Sequence, residues 1–360
     1  MLDGLRCPTC KGELGTSPRQ LTCTGCRRIY PRLAYGIPVM LDDAATHVAD
    51  TAIRIAQARR AEAALDQRMR TLIAANHRRS PALKRQVAAT ELLIRLLDRW
   101  LESLAISGVT PGPGAPTGTR VFGSFPGPLL LRDWSGRAMS EASNTAMADA
   151  IARRVKNAGR ERVLVVGAGM GRLAWELTRR FRDVVALDVS IPMALTFAYL
   201  GEAPIDLCDG VVFNLPDVAS IGTRERCRIP EDATADAARV TYVVGDALAT
   251  PLADASVDAV VCVYVLDVVR LAPLIDEIKR VLRPSGVFAN LGTFGYDPRH
   301  VPVEEMWTAE EVKALLDDAG LPVAEEEWVE HVLAPSHGLA QSHLRAWSCA
   351  AINGGTRPTP

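Results

Sequence analysis

The 360-residue sequence predicts an α/β fold: a mostly parallel sheet with flanking helices, preceded by a small metal-binding ribbon and a helical segment. Three observations carry this expectation. A β-branched run at 162–166 breaks at Gly167-Ala168-Gly169-Met170-Gly171 and resumes with helical spacing through Arg172-Leu173-Ala174-Trp175-Glu176, which reads as buried strand, tight turn and helix. Further apolar runs at 181–188, 240–244, 257–264 and 287–291 follow, each bounded by turn or helix signals. Near the N-terminus, Cys7-Pro8-Thr9-Cys10 and Cys23-Thr24-Gly25-Cys26 form two CxxC knuckles.

Taken in chain order, the knuckles come first. Each offers two thiolates to one tetrahedral zinc. Four thiolates leave no open coordination position, so the zinc at Cys7, Cys10, Cys23 and Cys26 is expected to be structural, stapling a ribbon too small to hold its own core. Cys208, Cys227, Cys262 and Cys349 show no such pairing and read as core residues or spectators. Leu5-Arg6-Cys7-Pro8-Thr9-Cys10-Lys11-Gly12, with Tyr30-Pro31 and Gly36-Ile37-Pro38-Val39-Met40-Leu41, resembles the small zinc-ribbon activator subunit of tRNA, ribosomal RNA and release-factor methyltransferases. In that family the ribbon is a separate protein that docks on the enzyme, often by adding to its sheet. The resemblance implies an intramolecular contact between ribbon and catalytic domain, with effective concentration raised by the shared chain. Substrate capture is the alternative role.

From 46 to about 107 an Ala-, Arg- and Leu-rich stretch has helical periodicity, strongest at Leu92, Leu93, Leu96, Leu97, Trp100 and Leu104. Pro81 separates its helices, with Ser80 as the expected cap. These helices are expected to cover one side of the catalytic domain, with His47 and His77 on the surface. Pro111, Pro113 and Pro116 mark a linker, and residues up to 128 read as loop. A helix is expected over 143–156.

The glycines at 167, 169 and 171 let the backbone take restricted angles and let a ligand approach closely, and the next helix presents unpaired N–H groups to an anionic group. Asp188 ends the second strand, where an acid commonly meets ribose hydroxyls. On these residues alone a dinucleotide cofactor fits as well as another nucleotide. The third strand ends in Gly245-Asp246-Ala247, the fourth runs into Val265-Leu266-Asp267, and a helix over 271–282 and the turn Arg283-Pro284-Ser285-Gly286 lead to the fifth. This order resembles the class I S-adenosylmethionine-dependent methyltransferases, which implies a Rossmann-like, mostly parallel seven-stranded sheet.

A second resemblance is narrower. Arg132-Asp133-Trp134-Ser135, Gly167-Ala168-Gly169-Met170-Gly171-Arg172-Leu173-Ala174-Trp175-Glu176 and Asn290-Leu291-Gly292 are similar to the carnosine N-methyltransferase family, which methylates a ring nitrogen of histidine imidazole. It implies that Arg132 binds the methionine carboxylate, that Gly167, Ala168, Gly169, Gly171 and Arg172 form the cofactor turn, and that Asp188 takes the ribose. It further implies Asp246 and Ala247 beside the adenine, Cys262 beneath the cofactor, and Asp267 as the catalytic group facing the acceptor. Capping the following helix is the alternative for Asp267. The chain departs from the family at Leu129, at Asp297 after Tyr296, and over Gln341-Ser342-His343-Leu344-Arg345-Ala346-Trp347. Those departures point away from carnosine itself and leave an imidazole in another small molecule, a peptide or a protein, or a different nitrogen or oxygen acceptor.

The 201–239 stretch, with Pro204, Pro216 and Pro230, is an insertion of lid or substrate-loop type. Thr308-Ala309-Glu310-Glu311 opens a helix with a capping box, strands at 322–333 and 343–352 close the sheet, and 353–360 is expected to be loose. The expected division is 1–43 ribbon, 44–107 helices, 108–128 linker, 129–352 methyltransferase domain and 353–360 tail.

Composition bounds the rest. The formal charge of −1 hides a division: residues 1–100 hold 17 Lys/Arg and 9 Asp/Glu. A basic third can meet nucleic acid or an acidic partner, or can be a solvated helical face. No apolar run is long enough to span a bilayer and the first residues lack a signal peptide's apolar segment, so a cytoplasmic enzyme is expected. The alternatives are an RNA methyltransferase, a non-catalytic nucleic-acid or assembly protein on the same fold, and a Rossmann oxidoreductase.

Overall fold

The computed structural model describes residues 4–109, 127–208, 215–230, 234–298, 301–333 and 342–354. Most of the expected linker, the centre of the 201–239 insertion, Gln341 and residues 355–360 of the expected tail lie outside these. Among the described residues no helix is long and apolar enough to cross a membrane.

The ribbon is a three-stranded antiparallel sheet of β1 (Leu14–Thr16), β2 (Gln20–Cys23) and β3 (Ile29–Pro31). Its chain continues into β4 (Val39–Met40), which leaves the ribbon and joins the main sheet. Two long helices follow, α1 (Ala44–Ala74) and α2 (Ser80–Ala105), then α3 (Gly127–Trp134) and α4 (Ala138–Arg154). The nucleotide-fold core comprises β5 (Arg162–Val166), α5 (Arg172–Leu177), β6 (Asp183–Asp188) and α6 (Ile191–Glu202). An inserted hairpin, β7 (Ile205–Cys208) and β8 (Arg224–Cys227), and the short α7 (Thr234–Ala237) come before β9 (Val240–Gly245). The chain ends through β10 (Val257–Val263), α8 (Leu271–Val281), β11 (Leu282–Gly292), α9 (Ala309–Asp318), β12 (Val323–Leu333) and β13 (Ser342–Ile352).

The main sheet runs β12-β13-β11-β10-β5-β6-β9-β4. Only β13 runs against its neighbours; the other pairings are parallel. This is the expected Rossmann-like, mostly parallel sheet, with one correction to the expected seven strands. An eighth, β4, pairs with β9 at Val39 and Val244 and at Met40 and Gly245. Both its residues are fully buried, so the ribbon segment covers an edge that would otherwise present unpaired backbone groups. The boundary expected at residue 43 therefore lies beyond a strand that the sheet already contains.

Successive residues of the central strands face opposite sides, which divides the core in two. Val163, Val165, Val184, Ala186, Ala259 and Val261 face the helices α1 to α6. Leu164, Val166, Val185, Leu187, Val260 and Cys262 face the ribbon, α8 and α9. The α1–α2 hairpin docks on the first side through Leu96, Leu97 and Trp100, whose indole N–H donates to Thr196 Oγ1 at 3.2 Å.

Pro81 lies in the first turn of α2, as its spacing implies, but Ser80 is already helical and its hydroxyl donates to the His77 carbonyl. His47 is not on the surface: it is 6% exposed, with Nε2 2.8 Å from the Val189 carbonyl oxygen. α1 packs along the sheet there, so its apolar stripe carries the imidazole inward. α4 starts five residues before the expected helix, and α3 replaces expected loop at Gly127 and Pro128. The inserted hairpin leans on α2 and α3, with the Arg85 guanidinium donating to the carbonyls of Ala219 and Ile221 and the Arg228 N–H to that of Trp134. Asn353, expected to be loose, is buried; its amide donates to the carbonyls of Leu282 and Arg283 and accepts from Lys279.

The capping box at Thr308 is present in both directions: its hydroxyl accepts from the Glu311 N–H, and Glu311 accepts from the Thr308 N–H at 2.8 Å. Thr308→Ala should therefore lower the unfolding free energy by about 1 kcal/mol, read as a shift in urea midpoint at constant slope. An unchanged midpoint would show that the cap contributes nothing.

Candidate active site and metal centre

The turn after β5 is held from three elements. Gly167, Gly169 and Gly171 all have positive φ (67°, 54° and 75°), the left-handed region in which a Cβ is strained. A Cβ on Gly167 would also stand 2.6 Å from Val265 Cγ2. Asp188, at the end of β6, accepts the Gly169 N–H at 2.9 Å on one oxygen and the Ser190 N–H at 2.8 Å on the other. The Tyr242 hydroxyl, from β9, donates to the Gly169 carbonyl at 2.5 Å, and the Trp134 indole, from α3, donates to the Met170 carbonyl at 2.9 Å. Burial raises the Asp188 pKa, opposed by the N–H donors of Ser190, Gly169 and Val189.

Arg132 stands at the α3 side of this turn. Its guanidinium spans the Asp133 carboxylate at 2.6 and 3.1 Å, and Asn144 donates to the carbonyls of both residues. Its side chain stays 27% exposed, so it is not closed off from a ligand. Tyr264, the first residue after β10, senses both this group and Asp267: burial pushes its pKa up to about 12, with the Arg132 charge lowering it and the Asp267 charge raising it.

Asp267 is 8% exposed. Its Oδ2 accepts the Gly295 N–H at 2.9 Å and the Thr293 hydroxyl at 3.2 Å, so the carboxylate ties the loop after β10 to the loop after β11. It does not cap α8, whose N-cap position is Arg270. Among the described residues Oδ1 accepts no hydrogen bond. Asp246 follows the end of β9 and accepts the Leu248 N–H at 2.9 Å, and Ala247 packs partly buried beside it.

Two expected cofactor residues are placed otherwise. Arg172 is 7% exposed and every N–H of its guanidinium is engaged: Nε with Glu176, Nη1 with the Asp133 carbonyl and Glu141, Nη2 with Glu141 and Glu176. It sits over the rings of Trp134 and Trp175 and joins α3, α4 and α5, with no donor left for a ligand. Cys262 is fully enclosed in the core on the ribbon side of the sheet, where burial pushes its thiol pKa far up; strand alternation turns it into the sheet's packing. Trp347 is likewise core, against Phe294 and donating to Glu326, while His343 is exposed on β13.

Tyr242, Tyr264 and Thr293 were not singled out in the sequence. Tyr242 interrupts a run of Val and Thr on a strand, and a buried phenol needs a hydrogen-bond partner; that was the available signal. Tyr264 and Thr293 carry none, because their places depend on how two loops meet.

At the ribbon, the sulfurs of Cys7, Cys10, Cys23 and Cys26 all lie within 4.8 Å of one another, with Cys7–Cys26 at 3.6 Å and Cys10–Cys23 at 3.4 Å. Tetrahedral zinc with bonds of about 2.3 Å sets its sulfurs about 3.8 Å apart, so this thiol set fits the ion. The knuckle is also fastened to the catalytic sheet. The Arg6 N–H donates to the Pro251 carbonyl at 2.9 Å, Leu5 bridges Leu252, and Lys11 Nζ donates to the Thr250 carbonyl at 3.1 Å.

Residues 222–290 match the family profile described as a methyltransferase domain. The chain carries a methyltransferase domain. A 120-residue stretch is 34% identical to the ubiquinone/menaquinone biosynthesis C-methyltransferase UbiE of Dinoroseobacter shibae; it takes in 33% of this chain and 44% of that protein, so the chain spans less than half the length of the curated relative it matches. Among solved structures, the cyclase SpnF is similar at a TM-score of 0.40 and 20% identity, over 68% of this chain and 76% of that one. A chain of the Haloferax volcanii complex containing the Trm112 methyltransferase activator is similar at 0.40 and 18%, over 61% and 96%. At these scores neither structure bears on the activity of this methyltransferase domain.

Two outcomes follow from the geometry. Arg172→Met removes a buried cation from Glu176 and Glu141 and should destabilise the chain by about 3 kcal/mol, measured by chemical denaturation; a loss under about 0.5 kcal/mol would contradict its role as the α3–α4–α5 joint. Elemental analysis of the purified chain should find one zinc per molecule, and stripping it with a chelator should lower the melting temperature. A chain that purifies metal-free with the same melting temperature would remove the zinc assignment.

Proposed function

We propose that the chain is an S-adenosylmethionine-dependent methyltransferase acting on a ring nitrogen of an imidazole or similar heterocycle in a small molecule, peptide or protein. The observation that carries this reading is the place of Asp267, beyond the carboxyl end of β10, with one oxygen tied down by Thr293 and Gly295 and the other left to accept a proton donor. Ligands of open α/β sheets collect at that edge.

The residues present fit the cofactor. The left-handed glycine turn keeps its loop free of side chains: a Cβ at Gly167 would collide with Val265, whereas one at Gly169 would meet only Met193 Sδ, at 3.9 Å. Asp188 keeps lone pairs for ribose hydroxyls beside its two backbone N–H partners. Arg132 suits the methionine carboxylate, and Asp246 and Ala247 border the adenine. When bound, S-adenosylmethionine supplies an electrophilic methyl group on a sulfonium that leaves readily. The chain's part is alignment of the acceptor nitrogen within about 3–3.5 Å of that methyl and exclusion of water. Asp267 Oδ1 accepts the N–H of one imidazole nitrogen, which leaves the lone pair of the other directed at the methyl carbon, and its charge stabilises the cation that develops.

The ribbon is read as an activator in cis. Its contacts fall on Thr250, Pro251 and Leu252, just after Asp246 and Ala247, and β4 pairs with β9 up to Gly245. It thus holds the segment that lines the adenine position. A carbon acceptor is the second reading, favoured by the 120-residue likeness to a C-methyltransferase.

Incubation with methyl-labelled cofactor and cell extract fractionated into small molecules, peptides, proteins and RNA should label a histidine-containing fraction; label on carbon or on RNA alone would replace the proposed acceptor. Asp267→Ala should retain cofactor affinity by calorimetry while turnover falls at least about a hundredfold. Equal turnover would exclude Asp267 from the mechanism.

A further inference from the structure

The α1–α2 hairpin has a charge distribution that neither methyl transfer nor the metal centre uses. From Gln67 to Thr90 the chain contains Arg68, Arg70, Arg78, Arg79, Lys84 and Arg85 and no aspartate or glutamate, although Asp66 and Glu91 stand just outside. The fold-back at 75–79 gathers all of these at one end of the hairpin. Met69 packs with Leu83 and Val87 in a small apolar cluster of its own. That contact sets the two arms level, so Arg68 and Lys84, next to Met69 and Leu83, flank the same cluster, with Arg78 and Arg79 at the turn beyond it.

The charges are not cancelled internally. Arg70 is spent on Asp66 and Glu91, at 2.6 and 2.5 Å, and Arg85 on the carbonyls of Ala219 and Ile221. Arg68, Arg78, Arg79 and Lys84 are exposed, and among the described residues none of them forms an ion pair.

We propose that this end of the hairpin binds the phosphate backbone of a nucleic acid. Three of the four free cations are guanidinium forks, which match phosphate oxygens two at a time. A patch whose own segment carries no acid, with Asp217 of the inserted segment near Arg85 at its border, complements a uniformly negative polymer better than the mixed charges of a protein surface. A membrane surface is disfavoured because no large apolar side chain is exposed between Gln67 and Thr90; the nearest, Leu65, lies outside the patch. The inference goes beyond the methyl-transfer reading and stands without it.

The test is fluorescence anisotropy of the zinc-loaded full chain with a labelled RNA oligonucleotide of mixed sequence. Four phosphate contacts should give a slope of log K against log salt of about −3, at roughly −0.7 per contact on a single strand. The R68Q/R78Q/R79Q/K84Q variant should bind at least about tenfold more weakly at low salt with a slope near zero, while its circular dichroism and cofactor affinity stay as in the parent. The proposal is overturned by a variant with the parent's slope, by a parent that does not bind RNA at low salt, or by tighter binding to polyglutamate or to anionic phospholipid vesicles than to the oligonucleotide.

Discussion

The site rests on one constraint: a left-handed glycine turn whose backbone is held at both its N–H and its C=O. Gly169 donates to Asp188 and accepts from Tyr242, so two parallel strands, β6 and β9, fix the position of a loop that leaves a third, β5. A buried amide or carbonyl with its partner removed costs about 1–3 kcal/mol, so the turn is pinned with energies that compare with a domain's whole margin of stability. Trp134 adds a third hold at Met170, and through it the geometry of the turn reaches α3. Arg132, on the same helix, is in this way placed by the turn it is expected to serve.

The same economy recurs at the sheet edge. β9 supplies Tyr242 to the turn and Asp246 beyond its end, yet it would be an edge strand without β4. The ribbon that supplies β4 has hardly any core of its own: Leu21 and Tyr30 are buried in a cluster that also contains Leu164, Val185 and Leu252 of the catalytic side. Four thiols stand in for the missing apolar mass. Thiol cluster, ribbon strands and sheet edge are accordingly one mechanical unit, which is why the expected boundary at residue 43 does not coincide with a break in packing.

Features set by local chemistry were legible in the sequence. The CxxC knuckles, the strand runs, the capping box at Thr308 and the closing strand pair follow from residue type and spacing, and each appears close to where it was expected. What could not be read depends on how distant elements meet. Arg172 follows a cofactor turn and looks like part of it, but its side chain is captured by Glu141, thirty-one residues earlier in the chain. His47 looks solvated on a helix rich in arginine, yet α1 lies against the sheet there. Cys262 sits near a strand end expected to meet the ligand, while period-two alternation turns its thiol into the core on the ribbon side of the sheet. The eighth strand is two residues long, too short for any periodicity to announce.

Tyr264 draws these threads together. It has φ of 55°, a conformation that costs a non-glycine residue about 1 kcal/mol or more and persists only where its surroundings leave no alternative. Those surroundings are visible. Its N–H is taken by the Leu291 carbonyl at 3.0 Å, and a Cβ on Gly292 would come within 3.2 Å of its backbone nitrogen. Three residues later, Asp267 ties the chain back to Gly295. The backbone thus turns sharply between two parallel strands, and beyond this bend Val265 lies against Gly167 while Asp267 is tied to the loop after β11. The strain is located where the proposed chemistry needs two groups from different loops to stay close.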